Sequence, residues 1–258
     1  MLKRKFVFLL GLTGLPMCLG QTPLHVAAAA DLQPVLPPII EQFRKSSGIG
    51  VEVTYQASAV LTTQIRNGAP FDLFLSADLS YPKKLIDAGL ADAAGTADSS
   101  SPIIYAKGKL VLWARKDSKL PTPSIELLKY PGLRRLAVAN PDRAPYGKAA
   151  VDALTSLMLY ESLRARLVTA ENISQAAQYV DSGNADAGLI SLTSALTPRL
   201  SADGIYFVIP QNLYPPLEQG AVIVNRTTQR PSVHKLLDYL LSPAVQAEFA
   251  KGGLAPVH

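Results

Sequence analysis

Apolar residues along the chain recur in two alternating rhythms. Leu24 to Ala29 is a short unbroken apolar run interrupted only by His25, the signature of a buried strand. Leu32, Val35, Leu36, Ile39, Ile40 and Phe43 then fall at helical spacing, with Asp31 as the expected N-cap. Pro34 suits a first turn, whereas Pro37 and Pro38 are expected to bend this helix. Val51 to Tyr55 alternates like a strand. A helix follows that starts at Ser58, carries Leu61 and Ile65, and closes at Asn67-Gly68. Phe71 to Leu75 is a further strand, followed by a helix capped by Asp78 and stopped at Gly89. A stretch rich in Ser, Ala, Gly and Asp, Ala91 to Ser101, reads as a surface connection.

Leu110 to Ala114 opens a new set of elements. Leu136 to Ala139 is a strand leading into a helix from about Tyr146. Asn172 caps a helix that ends before Gly183, and Ala187 to Ile190 is a short buried strand. Ala221 to Val224 is the last strand, and two closing helices follow Pro231 and Pro243. Strand and helix alternate throughout, which predicts an α/β fold with largely parallel sheets. No internal repeat or low-complexity tract is present.

Four predicted helix starts, at Ala30-Asp31, Ser58, Tyr146 and Ile173, lie after or near strand-like runs. A helix start presents unpaired N–H groups and a partial positive charge, so it suits an anion. Several such starts meeting in a cleft would hold an oxyanion with neutral donors alone. Each residue also has a plainer reading. Ser58 passes as an N-cap, Tyr146 as a half-buried aromatic beside a turn, and Ile173 as core.

The 258 residues are 48% hydrophobic, enough for one large domain or two compact lobes. The formal charge of +5 shrinks on inspection. Lys3, Arg4 and Lys5 precede the apolar run Phe6 to Leu12 and a small-residue region ending at Gly20, the layout of an export signal. Removal of residues 1–20 leaves a net charge of +2. No run of Lys or Arg survives to track phosphates, so nucleic acid is not an expected partner. The apolar run is short for a membrane span. The only cysteine, Cys18, follows Leu15-Pro16-Met17, a poor lipidation box, so a lipid anchor is not expected. A chain cleaved after Gly20 has no thiol for catalysis, metal binding or a disulfide.

Catalytic signatures are missing as well. There is no Gly-x-Ser-x-Gly elbow, no phosphate loop and no histidine pair at metal spacing; His25, His234 and His258 stand alone. Asp72 and Asp78 form a conceivable carboxylate pair without an evident acid–base partner.

Several segments together resemble the periplasmic molybdate-binding proteins of ABC importers. They are Val26-Ala27-Ala28-Ala29-Ala30-Asp31-Leu32, the run from Asn67 through Ala69-Pro70-Phe71-Asp72-Leu73-Phe74-Leu75-Ser76-Ala77 to Asp78, Gly108 to Trp113, Ala139-Asn140-Pro141 with Ala144-Pro145-Tyr146-Gly147, and Gly183 to Gly188. The resemblance spans nearly the whole chain after the export signal. It implies a two-lobed, type II periplasmic-binding-protein fold. Each lobe would be a mixed, mostly parallel sheet flanked by helices, with ligand in the cleft between lobes. Lobe 1 would comprise residues 21–103 and 221–258, and lobe 2 residues 104–220.

The resemblance further implies capture of molybdate or tungstate in the periplasm and delivery to an ABC permease with its ATPase, by a monomer with no cofactor and no enzymatic activity. Molybdenum or tungsten would enter only as the oxyanion. The implied contacts are Ala30, where the family carries a Ser or Thr hydroxyl; Ser58, through hydroxyl and N–H; and Tyr146 and Ile173, through main-chain N–H groups. Some members add a tyrosine hydroxyl where this chain has Ser191. Asp31, expected as a cap, would instead favour phosphate if it pointed into the cleft, because a carboxylate accepts the proton that phosphate carries. A receptor for phosphate or sulfate, or an exported enzyme on an anionic substrate, are the alternatives. A transcriptional sensor is disfavoured by the export-type N-terminus.

Overall fold

The computed structural model describes residues 22–93 and 100–257. The expected export signal with Cys18, most of the surface connection after Asp92, and His258 lie outside the described residues.

The chain begins with β1 (Leu24–Ala29), α1 (Leu36–Ser47), β2 (Val51–Gln56), α2 (Ser58–Arg66), β3 (Leu73–Leu75), α3 (Ser80–Asp87), β4 (Ala91–Asp92) and β5 (Ile103–Gly108). It continues with β6 (Leu110–Arg115), β7 (Leu136–Ala139), α4 (Pro145–Ser156), α5 (Tyr160–Leu163), β8 (Leu167–Ala170), α6 (Ile173–Asp181), β9 (Ala187–Ser191), α7 (Leu192–Ala195), α8 (Pro198–Asp203) and β10 (Gly204–Val208). It returns through β11 (Leu217–Val224) and ends in α9 (Arg230–Leu241) and α10 (Pro243–Lys251).

These strands form two sheets. The first has the order β2-β1-β3-β11-β4, with β5 also paired to β11; the second has the order β10-β6-β9-β7-β8. The chain changes sheet between Gly108 and Leu110 and returns between Val208 and Leu217. The boundaries drawn at 103/104 and 220/221 therefore fall inside the paired strands β5 and β11. Both sheets are mixed. β1 runs parallel to β2 and β3, and β7 runs parallel to β8 and β9. The remaining pairings, made by β5, β6, β10 and β11, are antiparallel, a larger share than strand–helix alternation suggests.

The two-residue strand period separates the faces of the first sheet. Val26, Ala28, Leu73, Leu75 and Ile223 pack with α1, α9 and α10, while Ala27, Phe74 and Val222 pack with Leu61 and Ile65 of α2. β6 is covered on both faces, which explains its continuous apolar run through Trp113.

The first helix differs from expectation. One 3-10 turn spans Ala30–Leu32, and α1 starts only at Leu36. Pro37 and Pro38 thus lie in the first turn of a helix, where a missing N–H costs nothing, and no bend is required. Strands β8 and β10 escaped the pattern reading because both are edge strands with partly exposed residues on each face.

Trp113 anchors the second lobe. Its ring is fully buried and its Nε1 donates to the Leu200 carbonyl at 3.2 Å. Trp113→Ala is expected to lower unfolding stability by about 3–5 kcal/mol, read by urea denaturation. A loss below about 1 kcal/mol would show that the surroundings do not depend on the ring.

Candidate functional site

A small, tightly closed cavity lies where the two sheets meet. It is lined from the first lobe by Ala29, Ala30, Asp31, Gln56, Ala57, Ser58 and Ala77. The second lobe contributes Ala144, Pro145, Tyr146, Asn172 and Ile173. Ala30, Asp31, Ser58, Tyr146 and Ile173, all read from the sequence, thus come together, although 143 positions separate the first from the last. Each is at least 97% buried, so the cleft is closed. Among the described residues, no Lys, Arg or His lines it.

Three of the four helix starts are N-termini of true α-helices. Ser58, Tyr146 and Ile173 lie in the first turns of α2, α4 and α6, where an N–H has no intrahelical acceptor. The fourth, at Ala30, is the single 3-10 turn. Asn172 caps α6 as expected, accepting from the Gln175 N–H at 3.0 Å. Gly147 explains part of the Ala-Pro-Tyr-Gly segment. A Cβ there would overlap the Ala139 carbonyl, so only glycine lets α4 start this close to the end of β7.

Ser58 is not the cap of α2. Ala57 occupies that position, and the Ser58 hydroxyl instead accepts from the Ala77 N–H at 3.2 Å. With a lone pair so used, its proton remains available to an acceptor. Tyr146 is fully buried rather than half-buried. Its hydroxyl donates to Asp31 Oδ2 at 3.1 Å. Gly108, at the crossing between sheets, makes room for that hydroxyl; a Cβ there would overlap it.

Asp31 departs most from expectation, since it caps no helix. The N-cap of α1 is Val35, without any side-chain bond. The Asp31 side chain is fully buried, and Oδ2 accepts from both Tyr146 and Gln219 Nε2, while Oδ1 has no partner. Burial raises its pKa to about 6, against the opposing effect of the Gln219 and Tyr146 hydrogen bonds. The Tyr146 phenol is pushed well above its ordinary value, first by burial and then by the Asp31 charge.

Ser191 does not line the cavity. It caps α7, accepting from the Ser194 N–H at 3.2 Å, and lies 2.9 Å from the Thr193 hydroxyl. Asp72 and Asp78 do not line the cavity and are held by local contacts. Asp72 accepts from the His25 N–H and the Thr227 hydroxyl, and Asp78 accepts from the Tyr81 N–H in the first turn of α3.

Three contributors were not read from the sequence. Thr193 donates to the Asp31 carbonyl at 2.7 Å, and Ser174 donates to the Ala30 carbonyl at 2.8 Å, both across the lobes. Gln219 reaches Asp31 because the β5–β11 register shifts between Gln219 and Gly220, and such a bulge re-aims a side chain. Its one signal in the sequence is a polar residue beside glycine ahead of the apolar run Ala221 to Val224.

Two mixed sheets, crossed twice by the chain and enclosing a cavity at their junction, define a type II solute-binding fold. The family model of the bacterial extracellular solute-binding proteins matches residues 24–255, and the chain belongs to that family. The molybdate-binding protein ModA of Azotobacter vinelandii is 37% identical over 231 residues, 89% of each chain. ModA of Rhodobacter capsulatus is 34% identical, covering 89% of this chain and 86% of its own. The solved periplasmic molybdate-binding protein of A. vinelandii superposes with a TM-score of 0.83 at 32% identity, over 91% of this chain and all of that one. The sulfate-binding protein SubI of Mycobacterium tuberculosis shares the fold, with a TM-score of 0.76 at 18% identity over 92% of this chain and 87% of its own.

The raised Asp31 pKa carries a signed consequence for stability. Below the unfolded pKa, near 3.8, the carboxyl is protonated in both states and costs nothing. Between that value and about 6 the folded protein holds the extra proton, so stability falls as pH rises and then levels off. Urea unfolding of the ligand-free protein should show Asp31→Asn matching wild type near pH 4 and exceeding it by about 3 kcal/mol above pH 7. A gap that does not change with pH would show that the carboxyl is not penalised by burial.

Proposed function

We propose that the protein captures molybdate or tungstate outside the cytoplasmic membrane and delivers it to the permease of an ABC importer with its ATPase. The observation that carries this reading is the closed, cation-free cavity ringed by first-turn N–H groups from both lobes. A dianion stripped of water there is met by main-chain donors at Ala30, Ser58, Tyr146 and Ile173 and by the Ser58 hydroxyl. Ser191, held by Ser194 away from the cavity, is left out of this contact set. The molybdate-binding relatives support the choice of anion. Size distinguishes molybdate from sulfate, whose bonds to oxygen are shorter. The family is a transport component, and the Asp72 and Asp78 contacts leave that pair no acid–base task. Residues 1–20 act as an export signal, the two lobes meet near the sheet crossings, and the protein works as a monomer in the periplasm. Among the described residues no helix is long and apolar enough to cross a membrane.

Lobe closure excludes water and strengthens each of these bonds. Release would require opening, which breaks the bonds from Ser174 and Thr193 to the Ala30 and Asp31 carbonyls.

Molybdate or tungstate should raise the melting temperature. At about a thousand times the dissociation constant, ligand adds roughly 4 kcal/mol. A thermal-shift panel of molybdate, tungstate, sulfate and phosphate tests this; no shift with either of the first two at millimolar concentration would sink the reading. Ser58→Ala should weaken molybdate binding by about 1.5–3 kcal/mol, roughly ten- to hundredfold. It should also lower stability by about 1–3 kcal/mol, because the buried Ala77 N–H loses its acceptor. Calorimetry showing unchanged affinity would remove Ser58 from the site.

A further inference from the structure

We propose that Asp31 serves the cavity as a proton-bearing donor: its carboxylic acid hydrogen sits on Oδ1 and bonds an oxygen of the captured anion, so that each dianion enters together with one proton. The proposal rests on the oxyanion reading above and adds to it the residue that sets its proton dependence.

The geometry dictates which oxygen carries the hydrogen. Oδ2 already accepts from Tyr146 and Gln219, whereas Oδ1 is buried, without a partner, on a residue that lines the cavity. An ionised carboxylate there would face a dianion with no intervening cation, and like charges in a dry site repel strongly.

The groups packed around Asp31 cannot supply a compensating charge. Tyr146 from α4 and Tyr105 from β5 are phenols whose pKa values are raised well above the ordinary value, and Tyr214 beyond them is raised too. Gln219 from β11 and Thr193 from α7 are neutral, and the elements lining the cavity bring no Lys, Arg or His to it. One species must therefore take up a proton. The carboxylate is the stronger base, because molybdate and tungstate remain dianions at neutral pH. The balance is one carboxylate, one proton and one dianion giving one carboxylic acid hydrogen-bonded to that dianion. No other bond forms or breaks.

In the closed geometry burial pushes the Asp31 carboxyl up to about 6. Below that pH the proton is already present and affinity should be flat. Above it each binding event takes a proton from solution, so the dissociation constant should rise about fivefold from pH 6 to pH 7 and about fiftyfold from pH 6 to pH 8. Asp31→Asn supplies the same arrangement without the proton. Its carbonyl oxygen can accept from Tyr146 and Gln219 while its amide donates to the anion.

The test is calorimetry of sodium molybdate with the full mature protein at pH 6, 7 and 8, in buffers of different ionisation enthalpy, which counts protons directly on wild type. Expected are close to one proton taken up per anion at pH 8, about half a proton at pH 6, and weakening of wild type with pH. Asp31→Asn should take up none, hold constant affinity and bind more tightly than wild type at pH 8. Molybdate binding to wild type at pH 8 with no proton uptake and unchanged affinity would overturn the proposal while leaving the oxyanion reading intact. Phosphate preferred over molybdate by wild type, with that preference lost in Asp31→Asn, would show Asp31 accepting the ligand's own proton and would also overturn it. No molybdate heat from either protein at any pH would remove the oxyanion reading, and this proposal with it.

Discussion

A carboxyl group with no cation beside it sits at the junction of the two lobes, and the closed geometry is arranged around its short segment. Ser174 holds the Ala30 carbonyl, Thr193 holds the Asp31 carbonyl, and Tyr146 with Gln219 holds the Asp31 side chain. Burying a charge costs several kcal/mol unless partners replace its water. Here the carboxyl's own partners, on Oδ2 alone, come from α4 and β11, while α6 and α7 hold the carbonyls of the same segment, so the segment is fully held only when both lobes and the returning strand are in place. Opening the cleft hydrates the carboxyl and closing it removes that water.

The donors on the opposite side of the cavity follow from topology. In a parallel sheet, every strand ends at the same edge, and each helix that follows starts there. β2 leads to α2, β7 to α4 and β8 to α6, all within parallel pairings. The antiparallel strands have another task. β5, β6 and β11 carry the chain between sheets, and Gly108 and Gln219 at those crossings meet Tyr146 and Asp31. The same strands that link the lobes therefore shape the cavity's floor.

What could be read from the sequence was local. Asn172 is a cap because its acceptor is three residues away. Leu136 to Ala139 is a strand because both faces are covered. Cap reasoning failed at Ser58 and Asp31 for one physical cause. Both are good caps by type, but a stronger claim on each oxygen comes from far along the chain: Ala77 for Ser58, and Gln219, 188 positions away, for Asp31. The bulge that aims Gln219 depends on a register slip between two strands and leaves no mark in residue spacing. Ala30, Tyr146 and Ile173 could be placed at one site only through family resemblance. Main-chain donors impose no side-chain identity, so spacing alone reads these residues as core or turn.

A cavity without cations also constrains selectivity. An arginine or lysine would draw in any anion of sufficient charge, since Coulomb attraction falls slowly with distance. Neutral donors stabilise an oxygen only within a narrow range of distance and angle. With both lobes closed, donors of α2 on one side and of α4 and α6 on the other are fixed by their own sheets and cannot follow a smaller anion inward. An anion too small for the cavity loses bonds on one side, and the N–H groups left there stay unpaired and dry, which costs more than the lost bonds alone. On the proposed contact set, discrimination among tetrahedral dianions of equal charge follows from the spacing of three helix starts. Gly147 bears on that spacing, because only glycine permits the close contact between the start of α4 and the end of β7.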